Sequence, residues 1–181
     1  MYRDNSLIPI EAIRIAALGA LAERPLRYAE LASDVRRFSS RIVGPSLDLM
    51  GSSIEVLRIE ALIAPVAADA AEPDPRLELT EAGGKDLILL LKAGVRATNT
   101  DLNRLVVALK MRFLHLLAPE DRRDQVLLLT SLLQDEHKRY SDLRANDAAE
   151  PLFAHWLDFE IEMLDNRLRW LDDFVRRCLD K

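Results

Sequence analysis

Residues 61–80, ALIAPVAADAAEPDPRLELT, decide how this chain folds. Ala61 to Val66 is short, apolar and closed by polar residues. Arg76-Leu77-Glu78-Leu79-Thr80 alternates polar with apolar, the period of a half-buried strand. Between them, Ala67 to Pro75 carries Asp69, Glu72, Pro73, Asp74 and Pro75, a composition that continues neither strand. The pattern predicts two short antiparallel strands joined by a loose loop of roughly nine residues.

Working outward toward the N-terminus, three helical patterns precede this hairpin. Pro9 suits a first helical turn, and Ile10, Ile13, Ala17, Leu18 and Leu21 repeat at helical spacing up to the stop before Pro25. A second helix is expected from about Tyr28 to Phe38, with Leu31, Val35 and Phe38 inward, and Ser39, Ser40 and Gly44 read as a turn. Pro45 opens a third, whose apolar set is Leu47, Met50, Ile54, Leu57 and Ala61. On the other side everything reads as helix. Thr80 is a plausible N-cap with Glu81 in the first turn, and that helix runs toward Gly94. Thr98-Asn99-Thr100-Asp101 marks a break, followed by helices over about Leu102–Leu117, Pro119–Leu143 and Leu152–Leu179. Helix, helix, helix, strand, loop, strand is the order of a winged helix. The predicted fold is mainly α with a small β-hairpin wing: an N-terminal winged helix-turn-helix over residues 1–96 and a C-terminal, coiled-coil-like helical domain over residues 97–181.

Composition narrows the function. The chain has 181 residues, 49% of them hydrophobic and 30% charged, which is enough to bury a core and excludes disorder along the whole length. A net charge of −5 argues against an indiscriminate polyanion binder while leaving room for a local basic patch. One cysteine, Cys178, excludes an intramolecular disulfide. A polar N-terminus and the lack of any long apolar run predict a cytoplasmic protein with no membrane partner.

Several stretches, in this order, resemble the PadR family of bacterial transcriptional regulators. They are Ala17-Leu18-Gly19-Ala20-Leu21 with Pro25-Leu26 and Glu30-Leu31, then Met50 through Leu57 to Ala61-Leu62-Ile63. Ala61 stands where that family usually has glycine. Leu79-Thr80-Glu81-Ala82-Gly83 matches the family's LTEAG and is the most specific piece; Phe113 to Arg122 and Trp170-Leu171 complete the set. The resemblance implies a homodimeric regulator, a repressor, that binds operator DNA through two winged helices and pairs through its C-terminal helices. It further implies control by a small-molecule effector whose identity differs between members; the flat rings of Trp156 and Trp170 would suit an apolar or aromatic one.

The residues can be asked whether they support DNA binding. From Arg24 to Arg41 the chain has Arg24, Arg27, Arg36, Arg37 and Arg41 against Glu30 and Asp34, a net +3. In a helix-turn-helix these are phosphate-positioning locations. The candidate DNA-binding residues are therefore Arg27, Tyr28, Arg36, Arg37, Arg41, Ser46, Ser52 and Ser53. Two features oppose them. The third helix has Gly51, Glu55 and Val56 where an aromatic and basic pair is common in related proteins, and the loop carries Asp69, Glu72 and Asp74 with no lysine or arginine. A second reading follows: a PadR-like dimer that has lost DNA binding and works as a protein-interaction or ligand-sensing module.

In the last helix Leu157, Ile161, Leu164, Leu168, Leu171, Val175 and Cys178 recur at spacings of four and three. A second stripe, Leu152, Trp156, Phe159, Met163 and Trp170, runs beside it. Two apolar stripes imply contacts on two sides. Leu157, Ile161, Leu164, Leu168, Leu171 and Val175 are the candidate dimer interface. Trp156 and Trp170 are candidates for an effector pocket, with core or interface packing as the simpler role. His115, His137 and His155 are dispersed, and Asp135-Glu136-His137 reads as a solvated face. No metal, cofactor or enzymatic activity is expected.

Overall fold

The computed structural model describes residues 9–44, 53–95, 101–146 and 150–179. They form helices α1 (Pro9–Glu23), α2 (Tyr28–Val43) and α3 (Ser53–Ile59), strands β1 (Ile63–Pro65) and β2 (Leu77–Leu79), then α4 (Glu81–Lys92), α5 (Asp101–Arg112), α6 (Pro119–Asn146) and α7 (Pro151–Phe174). The architecture is mainly α with one small antiparallel hairpin. It divides into two compact units, Met1–Leu117 and Ala118–Lys181.

The first unit is organised around α1, which packs against α2, α3, α4, α5 and β2. Ala12, Ile13, Ile15, Ala16, Ala17, Leu18, Ala20 and Leu21 are all buried. A helix covered on every side reads as apolar all round, and its alanines let neighbours approach closely. Gly19 shows how close: a β-carbon there would sit 2.5 Å from the Phe113 ring. The surrounding layer contributes Leu31 and Val35 of α2, Ile54 and Leu57 of α3, Leu87 and Leu91 of α4, and Leu105, Val106 and Leu109 of α5. Arg14, on α1, reaches Glu60 beyond α3 (2.7 Å) and Asp86 of α4 (3.1 Å).

The hairpin pairs Ile63 with Leu79, Ala64 with Glu78 and Pro65 with Leu77. On its other edge β2 meets the segment between α1 and α2: Leu26 N–H donates to the Leu77 carbonyl (3.1 Å) and Leu77 N–H to that of Leu26 (2.8 Å). The transition into α4 explains the LTEAG stretch physically. Thr80 Oγ1 accepts from Gly83 N–H (3.0 Å), capping α4, and lies 2.8 Å from the Ala61 carbonyl it donates to. Gly83 sits against the backbone, where a β-carbon would fall 2.0 Å from the Leu62 oxygen. Ala61, between α3 and β1, has φ +57°, the left-handed region that favours glycine.

Three boundaries differ from the sequence reading. α2 runs to Val43, past the turn expected at Ser39 and Ser40. Serine tolerates a helix interior when packing supports it, and Ser39 is buried; Gly44, at φ +84°, is the stop. α5 ends at Arg112, and residues Leu114–Leu116 tighten into a 3₁₀ turn that leads to the start of α6 at Pro119. α7 gives way after Phe174 to a wider π-type turn over Val175–Leu179. The expected start of the third helix at Pro45, its apolar Leu47 and Met50, and the break at Thr98–Thr100 lie outside the described residues.

The second unit is an antiparallel pair. Arg144 meets Asp158 (2.7 Å), His137 meets Asp165 (3.1 Å), and Arg123 donates to the Leu179 carbonyl (3.2 Å), so α6 and α7 run past each other in opposite directions. Val126 and Leu129 of α6 and Ala154, Leu157, Leu164 and Leu171 of α7 are buried. No described helix is long and apolar enough to cross a membrane.

Candidate nucleic-acid interface

The N-terminal half of α2 is set by Arg27 and Glu30. The Arg27 backbone N–H donates to Glu30 Oε2 (2.9 Å), which offers a first-turn donor a partner and places a carboxylate at the positive end of the helix. The Arg27 side chain turns the other way. Its guanidinium donates to Glu72 Oε2 (3.1 Å) and to the Asp74 carbonyl oxygen, and lies 3.8 Å from the Asp74 carboxylate. This arginine, expected on a phosphate, is held by the hairpin loop.

The loop acids are thereby accounted for. Asp69 is buried and receives Arg76 Nη2 (3.0 Å); that hydrogen bond holds its carboxyl below the usual range. Glu72 and Asp74 face Arg27. The three negative charges share two cationic partners, Arg76 on Asp69 and Arg27 on Glu72 and Asp74.

Further along α2 the arginines separate into two kinds. Arg37 is paired with Asp34 (2.7 Å). Arg36 and Arg41 are exposed and make no ion pair among the described residues. Tyr28 is exposed at the start of the helix. Asp34 also receives Arg112 of α5 (3.0 Å), a residue sequence reasoning did not single out. Burial pushes the Asp34 carboxyl up, but the hydrogen bonds from Arg37 and Arg112 outweigh it and hold the group low. The Arg112 guanidinium lies 4.8 Å from the Phe38 ring centre and 4.9 Å from that of Phe113. It ties α2 to α5 through Asp34 and Phe38.

On α3, Ile54 and Leu57 point into the core, Val56 and Ile59 are exposed, and Glu55 pairs with Arg58 (2.7 Å). Ser46 and Ser52, and the side chain of Ser53, lie outside the described residues.

In the second unit, the six residues expected at a dimer interface do not share one environment. Leu157, Leu164 and Leu171 are buried within the single chain, while Ile161, Leu168 and Val175 are half-buried. The neighbouring stripe is the open one: Leu152, Phe153, Trp156, Phe159, Met163 and Trp170 are all exposed. Trp156 stacks on Phe153 with centroids 5.7 Å apart, and Trp170 on Phe174 at 5.3 Å. Neither indole is a core residue of one chain. His137, read as solvated, is instead half-buried and bonded to Asp165. Among the described residues no His/Cys/Asp/Glu group has the arrangement to hold a metal ion.

A helical scaffold with a small hairpin and exposed arginines on its second helix fits the regulator that the sequence resemblance implied. The comparison with known families agrees: residues 2–175 match the family described as "Putative AphA-like transcriptional regulator", and the chain belongs to it. No curated protein matches the chain.

Proposed function

We propose that this chain is a homodimeric, DNA-binding transcriptional regulator in which residues 1–96 form a winged helix and residues 97–181 serve dimerisation. The observation that carries the reading is the exposed Arg36 and Arg41 on the helix before α3, without an ion pair among the described residues, in a chain of a transcriptional regulator family. Supporting it are the order of three helices and hairpin, and the Leu26–Leu77 pairing that ties the hairpin to the α1–α2 connection. α5 packs on α1 and α2 within the first unit, so it steadies the helix that carries Arg36 and Arg41. Repression of cytoplasmic operator DNA, and release by a small-molecule effector, are carried over from the PadR resemblance.

The dimer surface we assign is the exposed α7 stripe Leu152, Phe153, Trp156, Phe159, Met163 and Trp170, since much of the neighbouring leucine stripe is already covered. Contiguous exposed apolar surface of this kind marks interfaces, and aromatic residues anchor them.

The test is fluorescence anisotropy of the full chain on its own upstream DNA at several salt concentrations. Arg36→Ala and Arg41→Ala are each expected to weaken binding and to flatten the slope of log K against log salt by ~0.9. In light scattering, Trp156→Asp with Phe159→Asp should give a folded monomer; an unchanged dimer places the interface elsewhere. One observation favours the second reading, an interaction or sensing module without DNA: the outer face of α3 carries no free charge among the described residues. A folded dimer that fails to bind DNA even at low salt selects that reading.

A further inference from the structure

The outer face of α3 is unusual for a helix in the reading position. Ile54 and Leu57 are 1% and 0% exposed and root it, whereas Val56 and Ile59 on the opposite side are 40% and 76% exposed. The charged residues beside the stripe are spent on partners: Glu55 on Arg58, with Nη2 and Nε at 2.7 and 3.1 Å from Oε1, and Glu60 on Arg14 at 2.7 Å. What the described part of this face offers is methyl and methylene surface with no net field. A single exposed aliphatic residue needs no explanation. Two on one stripe of a short helix, following a helix whose Arg36 and Arg41 make no ion pair among the described residues, do.

In the major groove, hydrogen-bonding groups distinguish most base edges, and one group rewards an apolar partner: the thymine C5-methyl. Asparagine, arginine or glutamine readout is not available from Val56 or Ile59. We propose that Val56 and Ile59 read thymine methyl groups, so that this protein selects A·T pairs by apolar contact while the α2 arginines supply the sequence-independent attraction. This deepens the DNA-binding reading above and rests on it. Electrical neutrality of the face fits that occupant: Glu55, paired to Arg58, does not repel the groove edge, and the adjoining helix supplies the positive charge that draws the duplex in.

The experiment uses the full-length dimer and duplexes selected from a random library by that dimer. Each selected duplex is made twice, with thymidine or with deoxyuridine, which removes only the methyl group. The wild-type protein is expected to bind the deoxyuridine form about fourfold more weakly per contacted base, the ratio that corresponds to ~0.8 kcal/mol for one buried methyl or methylene. Val56→Ala with Ile59→Ala, both surface changes that leave the core intact, should bind the two forms equally and keep the wild-type salt slope. Arg36→Ala should do the opposite, losing slope while keeping the thymidine preference. Equal wild-type binding of both forms overturns the inference, as does a double variant that keeps the full preference. A variant unchanged on DNA but altered in molecular mass also overturns it, and makes the face a protein contact. If selection enriches no duplex at all, the DNA-binding reading itself falls, an outcome distinct from a methyl-blind regulator.

Discussion

Glu72 and Asp74 hold the Arg27 guanidinium, and under the proposed DNA-binding role its release is a measurable change. The three side chains are 43%, 48% and 57% exposed. Ion pairs this exposed are worth ~0–1 kcal/mol each, so the loop restrains Arg27 only weakly and its loss should not unfold the hairpin. In Glu72→Gln with Asp74→Asn, Arg27 loses both carboxylate partners and keeps only the Asp74 carbonyl, so its charge can make one more phosphate contact, steepening the salt slope by ~0.9. Lowering salt from about 200 to about 50 mM should then raise affinity about threefold more for the variant than for the wild type, which is that slope expressed over a fourfold salt range. Adding Arg27→Ala to the pair should cancel the extra slope, while Arg27→Ala alone should leave the wild-type slope nearly unchanged. Asp69 must be left intact, because it is buried and holds Arg76. The assay is anisotropy on one duplex across a salt series. A slope in the Glu72/Asp74 variant equal to or shallower than wild type would refute the view that the loop sequesters Arg27.

Three further outcomes concern stability. Ala61→Gly should raise the melting temperature: a non-glycine residue in the left-handed region costs ~1–2 kcal/mol, partly offset by ~0.5–1 kcal/mol of added freedom in the unfolded chain. Gly83→Ala should destabilise by several-fold more than an ordinary surface change, ~2 kcal/mol or above, because its β-carbon would meet the Leu62 carbonyl oxygen at 2.0 Å; a melting temperature that falls for Ala61→Gly, or holds for Gly83→Ala, contradicts the corresponding expectation. Lys110 is 1% exposed, donates to the Leu91 and Ala93 carbonyls at the end of α4, and is lowered by burial from 10.5 to about 8. Between those values the unfolded chain binds more protons than the folded one, so the Lys110 contribution makes stability rise with pH from about 8 to 10.5. In denaturant titrations the stability difference between wild type and Lys110→Met should therefore move in favour of wild type across that window; a difference that stays flat would show that Lys110 does not titrate there.

Local pattern was enough for much of this molecule. The alternation at Arg76–Thr80, the prolines at 9 and 119, and the threonine-capped start at Thr80 each constrain the backbone within a few residues. The hairpin and most helix starts were therefore legible. The stripes on α7 were legible too, since i, i+3 and i+4 neighbours share a face whatever surrounds the helix. Which stripe is covered was not: both are equally apolar, and only the pairing with α6 buries Leu157, Leu164 and Leu171 and leaves Trp156 and Trp170 outside. The candidate site shows the same division. Sequence located the arginines, but Arg27 meets Glu72 and Asp74 across 45 and 47 residues. Arg112 reaches Asp34 across 78, and such partners have no spacing to betray them. Periodicity fixes what a segment presents; the free charge that remains to meet a ligand is a difference between partners brought together from distant parts of the chain, and tertiary packing alone sets that difference.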